Sequence, residues 1–191
     1  DGTESGVYDL VGNVWEWQTL MKLVDGKVMM PADNAIDLAE SAWPDTGARY
    51  DSTVGTADGT GNGTGSGDIG DPVISDTITK YTGIPGSDTY DREAIIGGEA
   101  GFRSMTKKAG YNVPVSLVLA GLAPVTHLNG TYETDSMLKG AIWTRNYGVR
   151  LPLCGAAWYN ATSCGLGALA LATLRSHTGT TVGFRPAFLL A

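Results

Sequence analysis

Apolar and polar positions alternate in short runs along this chain, and glycine or proline interrupts most of the runs. The clearest alternation lies at 168–172, where leucines and alanines are interleaved. Period two places successive side chains on opposite faces of a strand. We therefore expect Leu169 and Leu171 to face a core, and Ala170 and Ala172 to face solvent.

Other local patterns also predict strands. Residues 6–17 are rich in β-favouring and bulky apolar side chains and predict a strand. The dipeptide Asp25-Gly26 lies between two apolar stretches and predicts a two-residue β-hairpin turn. After Ala141, short apolar stretches alternate with glycine, proline and asparagine, a pattern that favours several short strands over helices.

Helix signals are few. Residues 35–40 could form a short helix with Asp33 or Asn34 as the N-cap. Residues 112–122 are a better candidate, in which Asn112 caps the helix, Pro114 occupies the first turn and Pro124 ends it. The expected apolar face of this helix is formed by Val118, Leu119 and Leu122. The combined pattern predicts an α+β fold with short antiparallel strands, a few helices and much irregular loop.

Composition indicates one folded domain covering 1–191. The chain has 191 residues, of which 42% are hydrophobic and 17% charged, so disorder of the whole chain is excluded. The 27 glycines and the lack of sustained heptads exclude a coiled coil. A glycine-rich tract at 56–71 predicts a solvated insertion. Calcium is a weaker alternative for the tract, since its oxygen ligands lack a known calcium-loop spacing: Asp58, Asn62, Asp68 and Asp71.

Charge and cysteine content narrow the range of partners. The net charge of −7 argues against nucleic acid, and no apolar run is long enough for membrane insertion. All 20 acidic residues precede position 140, whereas residues 140–191 contain four arginines and no Asp, Glu, Lys, Gln or Met. Two cysteines are too few for a disulfide framework. Because the chain begins at Asp1 without a recognisable leader, we expect it to be the C-terminal part of a longer protein.

Two motifs at opposite ends of the chain belong to one known fold. Residues 6–17, Gly-Val-Tyr-Asp-Leu-Val-Gly-Asn-Val-Trp-Glu-Trp, resemble the strand signature of the formylglycine-generating-enzyme branch of the C-type lectin fold. Residues 182–187, Val-Gly-Phe-Arg-Pro-Ala, resemble its closing strand, and Gly-Ala-Ala-Trp at 155–158 is similar to its Gly-Gly-Ser-Trp turn. The resemblance implies a C-type lectin fold.

Residues 154–187 resemble the variable region of diversity-generating-retroelement proteins, in which a constant frame is interleaved with diversified positions. The matching frame residues are Trp158, Gly165, Ala168, Leu169, Leu171, Arg175, Val182, Gly183, Phe184, Arg185 and Pro186. The interleaved, variable positions are Ala157, Tyr159, Asn160, Ser163, Ala170, Ala172, Thr173, His177, Gly179, Thr180 and Thr181. In the family, adenine randomisation of Asn codons permits each of these residue types.

The resemblance implies a hypervariable ligand- or receptor-binding protein that displays variable side chains on a stable scaffold. The implied ligand is a protein or glycan on a target cell or particle, and the implied location is a virion tail or a cell surface. No catalytic residue, metal site or cofactor is implied. A scaffold of this kind needs its variable side chains in solvent, where replacement costs little stability. Tyr159 and His177 would be the natural contact anchors.

Two alternatives remain. Formylglycine-generating enzymes use two cysteines, and Asn160 and Gly165 stand at the corresponding positions, so that oxidase activity is not supported. A structural virion or surface domain with the same fold is the other alternative.

Further expectations concern packing. The tryptophans, Trp158 among them, are expected in or beside the core, together with Phe184. Arg185 is the expected partner of Glu16, and His127 is expected in a loop.

Overall fold

The computed structural model describes residues 12–52, 72–78, 99–128, 139–145 and 148–183. The glycine-rich tract at 56–71 with its candidate calcium ligands lies outside these ranges, as do most of the 6–17 motif and the closing residues from Phe184 onward. The expected pairing of Glu16 with Arg185 therefore also lies outside the described residues.

The described residues form a mixed α and β structure, mostly strands in one sheet, with few helices. This confirms the predicted α+β class and the short strands after Ala141. The prediction of antiparallel strands was wrong for three of the described strand pairs, which are parallel. The strands are β1 (Trp15–Trp17), β2 (Lys22–Val24), β3 (Lys27–Met29), β4 (Asp45–Ser52), β5 (Pro72–Ser75), β6 (Glu99–Gly101), β7 (Thr106–Lys107), β8 (Ala141–Thr144), β9 (Val149–Cys154), β10 (Leu169–Thr173) and β11 (Val182–Gly183).

Strand β9 connects the two halves of the sheet. Its first residues pair with β2, which continues through β3, β4 and β5 to β7. Its last residues pair with β1, which in turn pairs with β11 in parallel. The other edge of β9 pairs with β10, followed by β8 and β6. The chain segments before and after position 140 are thereby joined in one sheet.

The predicted hairpin at Asp25-Gly26 is confirmed. Strands β2 and β3 pair in an antiparallel register that places Leu23 opposite Val28, and both side chains are fully buried. Asp25 and Gly26 both have positive φ, 48° and 76°, as a tight hairpin turn that matches the strand twist requires. Asp25 also accepts a hydrogen bond from Gly148 N at 2.6 Å, which fixes the turn beside the start of β9.

The helix predicted at 112–122 is shorter and turned differently. Helix α1 covers Val115–Leu119, and Pro114 rather than Asn112 is its N-cap. The helix packs through Leu117. Of the predicted apolar face, Leu122 is buried and Val118 packs against the main core, whereas Leu119 is 82% exposed, so the prediction was wrong at Leu119. Gly121, with φ of 70°, ends the helix before Pro124 is reached, because Leu122 N turns back to Leu117 O. No helix in the described part of the chain is long and apolar enough to cross a membrane.

The helix predicted at 35–40 does not form. Single 3-10 turns cover Ala32–Asn34 and Glu40–Ala42 instead. Asp33 has a left-handed backbone, and Ile36 is exposed, so the segment has no buried stripe that would stabilise a helix. His127, expected in a loop, lies buried in another 3-10 turn, Val125–His127.

Strand β10 has a packed cluster on each of its faces. Leu169 and Leu171 belong to the main core, which also contains Tyr50, Phe102 and Ile142. Ala168 and Ala170 belong to a second apolar cluster. The buried members of this second cluster are Trp15, Leu153, Ala156, Ala157, Ala168 and Ala170. The predicted alternation is therefore confirmed, but the expected exposure of Ala170 was wrong, since both faces of β10 are covered. Ala157, which precedes the 3-10 turn Trp158–Ser163, was also expected to be exposed, but its side chain is buried in the second apolar cluster.

Gly165 occupies a position where no side chain fits. A Cβ built there would lie 1.8 Å from Lys139 O, and Gly167 N donates to the same carbonyl at 2.9 Å. The contacts of Gly165 and Gly167 with Lys139 hold the segment before β10 close to the segment before β8. Within the main core, the buried hydroxyl of Tyr50 donates a hydrogen bond to Leu122 O and so connects β4 to the segment after α1.

Candidate functional site

A cleft of about 290 Å³ opens beside the second apolar cluster, where β10 ends and the following loop returns to β11. We call it the tryptophan cleft. The described residues that line it are Trp15, Trp143, Arg145, Leu153, Tyr159, Asn160, Ala170, Ala172, Thr173, His177, Thr181 and Val182. It therefore joins residues from β1, β8, β9 and β10 to two loops that the sequence analysis predicted to vary.

The floor of the tryptophan cleft is aromatic. Trp15 and Trp143 meet edge to face with ring centroids 5.2 Å apart and ring planes inclined by 81°. Leu153 and Val182 add apolar surface beside them. Arg145 follows β8 directly, and its backbone N donates to Leu171 O, so the main chain of β10 determines its place.

One wall is the 3-10 turn Trp158–Ser163. Trp158 N donates to Asn13 O at 3.2 Å, and Asn160 Oδ1 accepts a hydrogen bond from Ala157 N at 2.9 Å. Tyr159 is 53% exposed and meets the Trp158 ring edge to face, with ring centroids 5.6 Å apart. The turn thus presents two neighbouring aromatic rings to solvent at the edge of the cleft.

The opposite wall is the loop after β10, which includes His177. Arg175 in this loop forms a hydrogen-bonded ion pair with Glu40 of the turn Glu40–Ala42. Lys22 Nζ also lies 3.4 Å from a carboxylate oxygen of Glu40. The Arg175 hydrogen bond holds the pKa of Glu40 below its ordinary value, and Lys22 acts in the same direction. The loop is thereby attached to the part of the chain that precedes the predicted variable segment, residues 154–187.

A second, wider cleft of about 540 Å³ adjoins the first, and we call it the arginine cleft. Its described lining is Arg150, Ala172, Thr173, Leu174, Ser176, His177 and Thr178. Arg150 is buried, and its Nη1 donates to Ala172 O at 3.1 Å. Because Ala172, Thr173 and His177 line both clefts, the two form adjacent parts of one recessed surface.

The structure brings together most of the residues predicted to vary. Seven of the eleven line the tryptophan cleft. They are Tyr159, Asn160, Ala170, Ala172, Thr173, His177 and Thr181. Ser163, Gly179 and Thr180 do not line it, and Gly179 and Thr180 are exposed nearby in the loop. Ala157 does not line it either, because its side chain is buried in the second apolar cluster.

The expected burial of Trp158 was wrong. Its side chain is 72% exposed, because the backbone turn after buried Ala157 directs the ring outward against Tyr159. Sequence reasoning also missed Trp143 and Arg145 as cleft residues. Their positions before residues 154–187 gave no sign that β8 lies next to β10. The available signal was the presence of four arginines and no acidic residue among residues 140–191.

The two cysteines, Cys154 and Cys164, are both free and partly buried. Burial raises the pKa of the Cys154 thiol to about 12, and Glu16 adds to the increase. Cys164 Sγ donates to Ala157 O at 3.3 Å. A nucleophilic cysteine needs a lowered pKa, and the Cys154 surroundings act in the opposite direction. Over the described ranges, no three His, Cys, Asp or Glu side chains are grouped as metal ligands.

A comparison of the chain with known protein families and with curated proteins finds no match.

Proposed function

We propose that this protein is a hypervariable ligand-binding domain with a C-type lectin scaffold, diversified by a retroelement. The observation that supports the proposal best is the convergence of seven predicted variable positions on one cleft. The sequence pattern alone identifies these positions, and they lie in two separate loops and one strand. Ligand sites are typically concave and partly apolar, with a few polar groups that give specificity.

The backbone around the cleft is held by contacts that do not involve most variable side chains. Leu169 pairs with Ile142 and with Cys154 across two ladders, and Gly165 contacts Lys139 O. Side chains such as His177 and Tyr159 project from this frame into solvent, where replacement is usually within about 0.5 kcal/mol of neutral. A frame of this kind permits change of ligand specificity without loss of the fold.

We further propose that the protein is not an enzyme and needs no cofactor. In the formylglycine-generating-enzyme branch, cysteines would occupy the places of Asn160 and Gly165. The 1.8 Å approach of a Cβ at 165 to Lys139 O leaves no room for a thiol at the second place. The purified domain should not convert a cysteine-containing sulfatase-type peptide to formylglycine with or without copper, and aldehyde formation would contradict this part of the proposal.

The proposed ligand is on a target cell or particle, and the proposed location of this protein is a virion tail or a cell surface. Flanking DNA provides a direct test of diversification. We expect a near-copy of the 154–187 coding stretch that differs at adenines, with a reverse-transcriptase gene nearby. If neither is present, diversification by a retroelement is contradicted.

Binding is tested with two displayed libraries of the full chain. The first varies Tyr159, Asn160, Ala172, Thr173, His177 and Thr181 within the set of residues that Asn codons yield. We expect most members to remain folded and different members to bind different targets. The matched control library applies the same substitutions at Leu169, Leu171, Ile142, Leu153, Leu117 and Phe102, which are buried.

The control members should unfold, because each buried truncation costs about 2–5 kcal/mol. The proposal fails if the cleft library is as unstable as the control library, or if its folded members all retain one specificity.

A further inference from the structure

The tryptophan cleft has a floor that diversification of residues 154–187 would leave unchanged. Trp15, Trp143 and Arg145 all lie outside that segment and line the cleft beneath the variable side chains. We propose that this floor selects ligands that present an aromatic or apolar side chain next to a carboxylate, as in an acidic, aromatic segment of a partner protein. The inference rests on the proposed function and adds a chemical class of ligand to it.

The aromatic part of the requirement follows from the size and lining of the cleft. Its volume of about 290 Å³ lies at the low end for ligand pockets, so it fits a single inserted side chain better than a whole ligand. Trp143 is only partly buried, and together with the Trp15 ring that it meets edge to face it gives the cleft an aromatic lining. Aromatic groups prefer offset or edge-to-face contacts with other rings, which such a floor provides.

The acidic part of the requirement follows from the charges around the cleft. Arg145 lines the tryptophan cleft, Arg150 lines the adjoining arginine cleft, and no Asp or Glu is among the described residues that line either. Arg145 Nη1 donates to Thr144 O at 2.9 Å, and the guanidinium has further contacts. The inference does not need a free guanidinium, because its five N–H donors serve several acceptors at once and its planar fork matches a carboxylate.

The charge distribution of the whole chain favours the same ligand. The net charge is −7, yet residues 140–191 contain four arginines and no acidic residue. Of the four, Arg145 and Arg150 line the clefts, whereas Arg175 is paired with Glu40. An acidic ligand segment therefore meets positive charge at the clefts of a chain whose net charge is negative, which favours its approach there. A protein segment fits better than a long polyanion, since the described lining has one arginine in each cleft and an aromatic floor instead of a cationic track.

The test is the selection of peptides from a random phage-displayed library on the full chain. Four proteins are compared: the unchanged chain, the wall variant with Tyr159→Ser and His177→Asn, the floor variant Arg145→Gln, and the control Lys27→Gln. Lys27 is an exposed lysine on β3 that lines neither cleft. The readout is the frequency of Asp or Glu next to an aromatic residue in the selected peptides, relative to the starting library.

We expect this pair to be enriched on the unchanged chain, on the wall variant and on Lys27→Gln, although the wall variant should select otherwise different sequences. The enrichment should be lost on Arg145→Gln, which should also bind the acidic peptides about tenfold more weakly. If Arg145→Gln does not fold, Arg145→Lys replaces it. Arg145→Lys keeps the positive charge but lacks the planar guanidinium. It should therefore still select peptides enriched in Asp or Glu, but bind them with lower affinity.

Two failures are distinguishable. The floor inference is overturned if selected peptides show no acidic enrichment, if no peptide is selected, or if a glycan array gives binders where the peptide library gives none. The proposed function is overturned separately if the wall variant selects the same peptides as the unchanged chain, whatever their charge.

Discussion

The indole rings of Trp15 and Trp143 meet edge to face, with ring centroids 5.2 Å apart. The small side chain of Ala170 lies in the second apolar cluster with them. In the sheet register, Ala170 lies opposite Trp143 on one side and opposite Leu153 on the other. A small residue between two strands with large side chains leaves room for the two rings to meet. This contact forms the floor of the cleft and determines how its neighbours respond to substitution.

The first prediction compares two tryptophans that the sequence alone does not distinguish. Trp15→Ala should lower the free energy of unfolding by about 3–5 kcal/mol, because its ring is buried against Trp143. Trp158→Ala should lower it by less than about 1 kcal/mol, since that ring is mostly exposed. Urea denaturation of both variants measures the difference, and equal losses would contradict the exposure of Trp158.

The second prediction concerns Ala170, which lines the cleft although it is only 8% exposed. Ala170→Tyr should cost about 1–3 kcal/mol, because the added ring must displace an indole of the floor. Ala172→Tyr is the matched control and should cost less, since Ala172 is only partly buried. Equal stability of the two variants in urea would place Ala170 with the freely variable positions.

The third prediction is a pH dependence of stability that arises from His127. Burial lowers the pKa of His127 below its ordinary value of 6.5, and Lys107 acts in the same direction. The unfolded chain then binds the proton more readily than the folded one. The stabilisation is therefore complete above the unfolded pKa and decreases as the pH falls below about 6.5.

Denaturation of the unchanged chain and of His127→Gln between about pH 7 and pH 5 measures this dependence. The slope should be smaller in His127→Gln. His177→Asn removes an exposed histidine and is the control, which should keep the original slope. A steep slope in His127→Gln would assign the pH dependence to another group.

The fourth prediction concerns the pair of Glu40 and Arg175, which attaches the His177 loop to the scaffold. Because the pKa of Glu40 is lowered, its stabilisation is present above the unfolded pKa near 4.5 and is lost as the pH falls through the folded value. Arg175 is largely exposed, so Glu40→Gln should cost no more than about 1 kcal/mol at neutral pH. The difference in free energy of unfolding between Glu40→Gln and the unchanged chain should vanish in acid. Asp37→Asn, which replaces an exposed acidic residue nearby, is the control.

The local sequence was sufficient to predict those features whose physical cause lies within a few residues of the chain. The turn at Asp25-Gly26 was predictable, because its backbone angles favour glycine and aspartate whatever surrounds them. The short strands after Ala141 were predictable from their apolar stretches. The seven predicted variable positions that line the cleft were selected by the resemblance to a known family, because periodicity alone does not connect residues from two loops and one strand.

Site details that depend on neighbouring elements were not predictable. Alternation correctly separated Leu169 and Leu171 from Ala168 and Ala170, but it did not show that a second cluster covers the alanine face. Alternation of residue types in the sequence shows which residues share a face of a strand, whereas their burial depends on what packs against that face.

The sequence by itself determined the strand-forming segments, the hairpin turn and the cationic, acid-free composition after position 140. Tertiary structure alone decided that Trp143 and Arg145 join the cleft, that Ala157 is buried and that Trp158 is exposed. The physical reason is the parallel pairing of β8 with β10 and the pairing of β9 with β1, both of which join residues distant in the chain. Contacts across such pairings depend on sheet order, and sheet order is a property of the whole folded chain.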